Sequence, residues 1–225
     1  MLKPGNTAGE ATITVRQEEN DFYEPASFSH TFIVVRREDN NNGAMLIKDA
    51  NEWKSFCKLV NEKGHIYLDA KLDANINLGS DITMVGADGH KYAGTFDGQD
   101  HTLTLNWNDG ATTDIAPFKK VDGATIRNLR VTGGINSSKE DGKLAGLIVE
   151  SNGNTTITIT NCVTDMRLQV KTEGIGGMVY EAGKGSLTMT NCVTNGMIIN
   201  DKGGAGGMIC SIYRARNSKL RCKYS

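Results

Sequence analysis

Proline and aromatic residues are scarce in this chain of 225 residues. It holds three prolines, and Phe, Trp and Tyr together make up 6% of its residues. A core must therefore be built mainly from Ile, Leu, Val and Met, while 26 glycines favour tight turns between short strands. No stretch approaches the roughly 20 apolar residues of a membrane-spanning helix, so we expect no membrane insertion.

Net charge is also nearly absent, because 25 Lys and Arg oppose 26 Asp and Glu and leave −1. Without a global positive field we expect no nucleic-acid partner. The locally basic stretch 214–223 contains no aromatic platform for bases, which predicts a solvated tail. The first six residues lack the apolar core of a signal peptide. We therefore expect either a cytosolic protein or part of a longer exported chain.

The five cysteines do not form an even disulfide framework, and none lies at a spacing typical of zinc ligands. The sequence predicts no metal site and no cofactor. Cys162 and Cys192 occupy equivalent positions in successive repeats, where parallel neighbours lie about 4.8 Å apart. This spacing favours a column of free, buried thiols over a bridge, which would strain the parallel pairing.

A repeat in the second half of the chain dominates the sequence. A Gly followed by two apolar residues recurs at spacings of 31 and 30 residues, beginning at Gly146, Gly177 and Gly207. A unit of about 30 residues cannot bury its own apolar face and must stack on its neighbours. The pattern predicts an all-β chain folded as a right-handed parallel β-helix, or solenoid.

A second motif consists of an apolar residue, a polar residue, Asn and then Leu or Cys, and it recurs at 126–129, 159–162 and 189–192. It predicts where these residues lie in each coil. Its inward column is expected to contain Ile126, Ile159 and Met189, with Thr125, Thr158 and Thr188 facing outward. The asparagines that follow are predicted to turn a corner, since Asn tolerates left-handed backbone: Asn128, Asn161 and Asn191. The next residues form an adjoining apolar column: Leu129, Cys162 and Cys192. The glycines mark another corner, where positive φ or close packing is required.

The last coil departs from this pattern. Cys222 lies 30 residues after Cys192, which predicts that the two are equivalent. Lys219 then replaces the apolar residue expected from Met189. We therefore expect a frayed, truncated or altered final coil.

The N-terminal part divides into three predicted regions. Residues 1–37 alternate as a β-hairpin, residues 38–44 form a polar linker, and residues 45–225 form the repeat domain. A capping helix is predicted over about 49–63, with one apolar face of Trp53, Phe56, Cys57 and Val60. Short strands are expected at 66–68 and 76–78.

Several segments together resemble the GLUG-type repeats of surface proteins from gut Bacteroidetes. They read YAGTFDGQDHTLTL, APFKKVDGATIRNLRVTGGI, LAGLIVESNGNTTITITNCV and IGGMVYEAGKGSLTMTNCV, and the resemblance covers roughly residues 45–210. It departs at Val149, Tyr180 and Cys210, where the motif has Gly. Residues 9–35 are similar to the closing strands of a bacterial immunoglobulin-like module.

The resemblance implies a cell-surface or secreted protein that is not an enzyme. It would act as an adhesin-like stalk or as a module that binds glycans or host or bacterial surface proteins. The alternative is a carbohydrate-active enzyme, a lyase or hydrolase, that uses carboxylates near Asp97 and Asp100, with His101 and Asp114. We assign no catalytic residue, because turn chemistry accounts for Asp97 and Asp100. Any binding site is expected among residues that break the repeat.

Overall fold

The structure is a computed structural model of the chain. It describes residues 8–37, 43–110, 112, 114–138, 142–151, 153, 155–171, 174–183, 185–201, 204–212 and 220–223. The predicted β-solenoid with one helix and an N-terminal hairpin is confirmed. Over this part of the chain, no helix has the length and apolar character needed to cross a bilayer.

The N-terminal hairpin pairs β1 (Gly9–Gln17) with β2 (Ala26–Val34) in antiparallel register. Hydroxyl groups meet across one of its faces, at 2.9 Å between Thr12 and Thr31. Its opposite face carries apolar side chains that are exposed: Ile13, Val15, Phe28 and Phe32. An ion pair between Glu10 and Lys58 links the hairpin to the helix.

An incomplete first rung follows the hairpin. β3 (Arg36–Arg37) runs antiparallel to β4 (Met45–Ile47), which pairs in parallel with β5 (Ala70–Leu72). Residues 36–37 therefore belong to a sheet of the solenoid, although the sequence groups them with the hairpin. β6 (Ile76–Asn77) begins a second sheet at a predicted position.

The prediction of a strand at 66–68 is wrong. These residues form a turn, in which the Leu68 N–H donates to the His65 carbonyl at 3.1 Å. An apolar triplet resembles a buried strand in sequence, but here the chain needs a turn to return from the helix to β5.

Asp49 is the N-cap of helix α1 (Ala50–Asn61), and its carboxylate accepts hydrogen bonds from the N–H groups of Asn51 and Glu52. This contact satisfies backbone donors that a helix start leaves unpaired. The predicted apolar face is confirmed, since Trp53, Phe56, Cys57 and Val60 are all buried. The ring of Trp53 lies 5.8 Å from that of Phe96 in the first coil, so the helix covers this end of the core.

Four coils follow, each made of four strands. The first contains β7 (Thr95–Asp97), β8 (Thr102–Asp109), β9 (Asp114–Ile115) and β10 (Phe118–Lys120). The second contains β11 (Thr125–Arg127), β12 (Arg130–Ser137), β13 (Lys143–Ala145) and β14 (Ile148–Ser151). The third contains β15 (Thr156–Thr160), β16 (Val163–Val170), β17 (Gly174–Gly176) and β18 (Val179–Ala182). The fourth contains β19 (Ser186–Thr190), β20 (Val193–Asn200), β21 (Gly204–Gly206) and β22 (Ile209–Ile212).

Equivalent strands of successive coils pair in parallel and build four sheets. We number the sheets by strand order within a coil, so sheet 1 contains β7, β11, β15 and β19. In sheet 1, Ile126 pairs with Ile159, and Ile159 with Met189. All three side chains are at most 2% exposed, which confirms the predicted inward column.

The register of the last strand differs from the prediction. β23 (Leu220–Lys223) pairs with β19 and places Cys222 beside Met189 rather than in the column of Cys192. Met189 and its partner Cys222 are 33 residues apart, three more than the 30-residue spacing of the preceding repeat. The 30-residue spacing therefore predicts the wrong register for Cys222. Lys219, the expected equivalent of Met189, lies outside the described residues.

Candidate functional site

The predicted asparagine corner joins sheets 1 and 2. Asn128, Asn161 and Asn191 have φ values of 51°, 53° and 52°, in the left-handed region that Asn tolerates. Their side chains form a ladder, because each amide donates to the carbonyl oxygen of the preceding Asn at 3.0 and 3.2 Å. A repeated polar side chain thus finds its partner in the same residue of the next coil.

The ladder of asparagine side chains ends at the carboxylate of Asp97 in the first coil. Its Oδ1 accepts from the Asn128 amide at 3.0 Å and from the Gln99 N–H at 3.0 Å, and its Oδ2 lies 2.9 Å from Arg127 Nε. Burial alone raises the pKa of Asp97. The hydrogen bonds from Gln99, Asn128 and Arg127 outweigh it and hold the pKa below its usual value.

The other acidic candidates do not share these contacts. Asp100 lies in the turn after Asp97, has a φ of 60°, and donates its backbone N–H to the Asn128 carbonyl. Asp114 begins β9, beyond β8, whose eight residues span roughly 26 Å. His101 donates its backbone N–H to the Gly98 carbonyl. These contacts assign the backbone of Asp100 and His101 to the turn that leads into β8.

The glycine corner joins sheets 3 and 4 and is closely packed. A Cβ on Gly146 would lie 2.3 Å from the Gly177 carbonyl oxygen, and one on Gly177 would lie 1.8 Å from that of Gly207. Neither residue has a positive φ, so close approach, rather than left-handed backbone, is what requires glycine there. Among the described residues, no atom lies within 4 Å of the ideal Cβ position of Gly207.

Val149, Tyr180 and Cys210 lie in the strands of sheet 4 that follow this corner. Val149 is buried in a small second cluster with Ala116 and Ala145, and Tyr180 packs against it. The ammonium of Lys143 lies 5.6 Å from the centre of the Tyr180 ring. These side chains extend the packing of the corner to its outer side.

The column beside the asparagine corner contains free thiols. Leu129 and Cys162 are buried and Cys192 is half-buried. Neither cysteine is bridged, and each lies near a backbone carbonyl of its own turn, at 3.4 Å for Cys162 and 3.3 Å for Cys192. Burial raises the pKa of Cys162 to about 12, so its thiol stays protonated and unreactive.

A different feature, which the sequence did not single out, is an exposed tyrosine on the first rung. Tyr67 is 76% exposed and lies in the turn at 66–67. It lines a groove of about 470 Å³, together with Arg37, His65 and Asp69 among others. It also lines a second groove, of about 620 Å³.

The larger groove reaches from the first rung towards the second and third coils. Its polar lining is Lys91, Asp122, Thr155 and Thr156. Thr155 donates its hydroxyl to Asp122, and the Thr156 hydroxyl lies 2.7 Å from that of Ser186 in the next coil. Donors and acceptors therefore line the same groove as Tyr67.

Within the described residues, no group of three or more His, Cys, Asp and Glu side chains is placed to hold a metal ion. Comparison with protein-family models, with curated proteins and with solved structures finds no match.

Proposed function

We propose that the protein is a non-catalytic repeat module that is secreted or displayed on the cell surface. It acts as an adhesin-like stalk that binds a glycan or a surface protein. The stacked coils support a rigid stalk, because each coil adds about 4.8 Å of continuously hydrogen-bonded length. The extracellular location rests on the resemblance to GLUG-type surface proteins.

The observation that carries the proposal is the structural use of Asp97. Its carboxylate accepts from Arg127, Asn128 and Gln99 and ends the asparagine ladder. A glycoside hydrolase typically needs two carboxyl groups roughly 5 to 9.5 Å apart around its substrate, at least one of them available to donate a proton. A carboxylate whose pKa is held low by three donors is a poor general acid.

The test combines a binding screen with a degradation screen. The full chain is applied to a glycan array and to immobilised bacterial and host surface proteins. In parallel it is incubated with plant and host polysaccharides, and new reducing ends and unsaturated sugars are measured. We expect binding without cleavage. Cleavage that disappears in a folded Asp97→Asn variant would replace this proposal with the enzymatic alternative.

A further inference from the structure

We propose that the two grooves beside Tyr67 form one binding site for a neutral oligosaccharide, with the tyrosine ring as its central platform. This inference rests on the proposed binding function and specifies its site and its ligand. Sugar rings have an apolar C–H face and a rim of hydroxyl groups. The C–H face packs on an aromatic face, which carries negative partial charge, while the rim needs donors and acceptors.

The turn that carries Tyr67 is held in place on both sides of the ring. The Ala93 N–H donates to the Ile66 carbonyl at 2.8 Å, and the buried Tyr92 hydroxyl donates to the Leu68 carbonyl at 3.0 Å. The backbone on either side of the ring is thus fixed by the rung beneath it. A rigid aromatic side chain binds at low entropic cost, which favours a role in recognition.

Burial does not explain Tyr67. Its side chain is 76% exposed, whereas the large aromatic residues of the same region are fully buried: Trp53, Phe56, Tyr92, Phe96 and Phe118. An exposed aromatic residue between two open grooves adds little to the core. Its position suits a ligand that lies across the ring.

The charges in the grooves favour a neutral ligand. Among the described residues, each groove is lined by one strong cation and one carboxylate, with Arg37 and Asp69 in the smaller and Lys91 and Asp122 in the larger. Neither sign of charge dominates, so the site has no preference for phosphate or sulfate. Hydroxyl groups both donate and accept, and therefore match a lining of mixed donors and acceptors.

The size of the grooves favours an oligosaccharide over a single sugar. Each volume lies within the roughly 300 to 1,000 Å³ typical of small-molecule sites. Both grooves share Ile66 and Tyr67, so a linear ligand can occupy them together. A chain of several sugar units would place one ring on Tyr67 and its neighbours in the two grooves.

The experiment titrates the full chain with neutral tetrasaccharides of glucose, galactose, mannose and xylose, and with a sulfated tetrasaccharide. Three variants are compared with the wild type. Tyr67→Ala removes the platform and Tyr67→Phe keeps the ring. Tyr23→Ala is the matched control, because Tyr23 is also exposed, at 65%, but lies on the hairpin.

We expect wild type to bind at least one neutral tetrasaccharide. Tyr67→Ala should weaken binding at least tenfold, while Tyr67→Phe and Tyr23→Ala stay within about twofold of wild type. Equal binding by wild type and Tyr67→Ala would overturn this site and leave the proposed function standing. A preference for the sulfated ligand, or binding only to a protein, would overturn the ligand class. A chain that binds no glycan and no surface protein would overturn both proposals.

Discussion

The regular coils and the first rung treat their polar side chains differently. In the coils, polar groups bond to equivalent groups one coil away, as in the amide ladder through Asn161. The Thr164 hydroxyl likewise lies 3.2 Å from the hydroxyl of Thr194, its equivalent in the next coil, and it donates to the Gly177 carbonyl of its own coil. On the first rung, Tyr67 lines open grooves, and the polar residues beside it bond to groups that do not repeat, as Asp69 does to the Thr95 N–H.

The difference follows from repetition. Stacking places an identical residue about 4.8 Å from each repeated side chain, so a residue that can bond to itself gains stability in every coil. A residue that does not repeat has no such neighbour, so its contacts depend on its own surroundings, as with Asp69 and the Thr95 N–H. Repeated residues should therefore contribute to stability in every coil, whereas Tyr67, an exposed residue outside the repeat, should affect binding and not stability.

The largest effect on stability is expected in helix α1, where Trp53 packs against Phe96 of the first coil. Trp53 is fully buried, and its indole N–H donates to the Thr83 carbonyl at 3.0 Å. Trp53→Ala should lower the free energy of unfolding by about 3–5 kcal/mol, measured by denaturant titration. Tyr67→Ala, the exposed counterpart, should change it by less than about 0.5 kcal/mol. A loss below about 1 kcal/mol for Trp53→Ala would show that the helix is not part of the cooperative core.

The glycine corner allows a comparison within the repeat itself. Gly177→Ala forces a Cβ against the Gly207 carbonyl oxygen and should cost about 1–3 kcal/mol. Gly207→Ala occupies the same repeat position, but its new Cβ meets no atom of the described residues within 4 Å. Thermal unfolding should separate the two variants. Similar losses in both would contradict the close approach of successive coils.

The asparagine corner should show a smaller effect with two separable parts. Asn161→Ala places a β-carbon in left-handed backbone and removes the ladder bonds, at a cost of about 1–2 kcal/mol. Asn161→Gly removes the same bonds but accepts the backbone conformation, so it should lose less stability. Denaturant midpoints of the two variants test this order. An Ala variant at least as stable as the Gly variant would refute the role of φ.

The acid dependence of stability should report the contacts of Asp97. Since its pKa is lower in the folded state, the carboxylate contributes stability above about pH 4 that is lost as the pH falls through the folded-state pKa. Asp97→Asn should therefore lose less stability than wild type between pH 6 and pH 3. Arg127→Gln should also reduce the stability lost between pH 6 and pH 3, but by less than Asp97→Asn. Parallel curves for wild type and Asp97→Asn would contradict the contacts described.

Much of the coil could be predicted because its residues recur. The inward position of Ile159 and the corner at Asn161 follow from three aligned copies, in which packing and turn chemistry agree. The turn at 66–68 and the register of Cys222 could not be derived in this way, because each occurs where the repeat length or pattern changes. The exposure of Tyr67 could not be predicted from the sequence for the same reason. Its exposure depends on how the first rung folds against the helix.

The most direct test of this division measures stability and binding together. For Asn161→Ala and Tyr67→Ala, the free energy of unfolding and the affinity for the best neutral tetrasaccharide are measured at a temperature where both variants are folded. The account predicts that Asn161→Ala loses stability and keeps its affinity, whereas Tyr67→Ala keeps its stability and loses at least tenfold in affinity. It is contradicted if Asn161→Ala loses affinity while folded, or if Tyr67→Ala binds as well as the wild type.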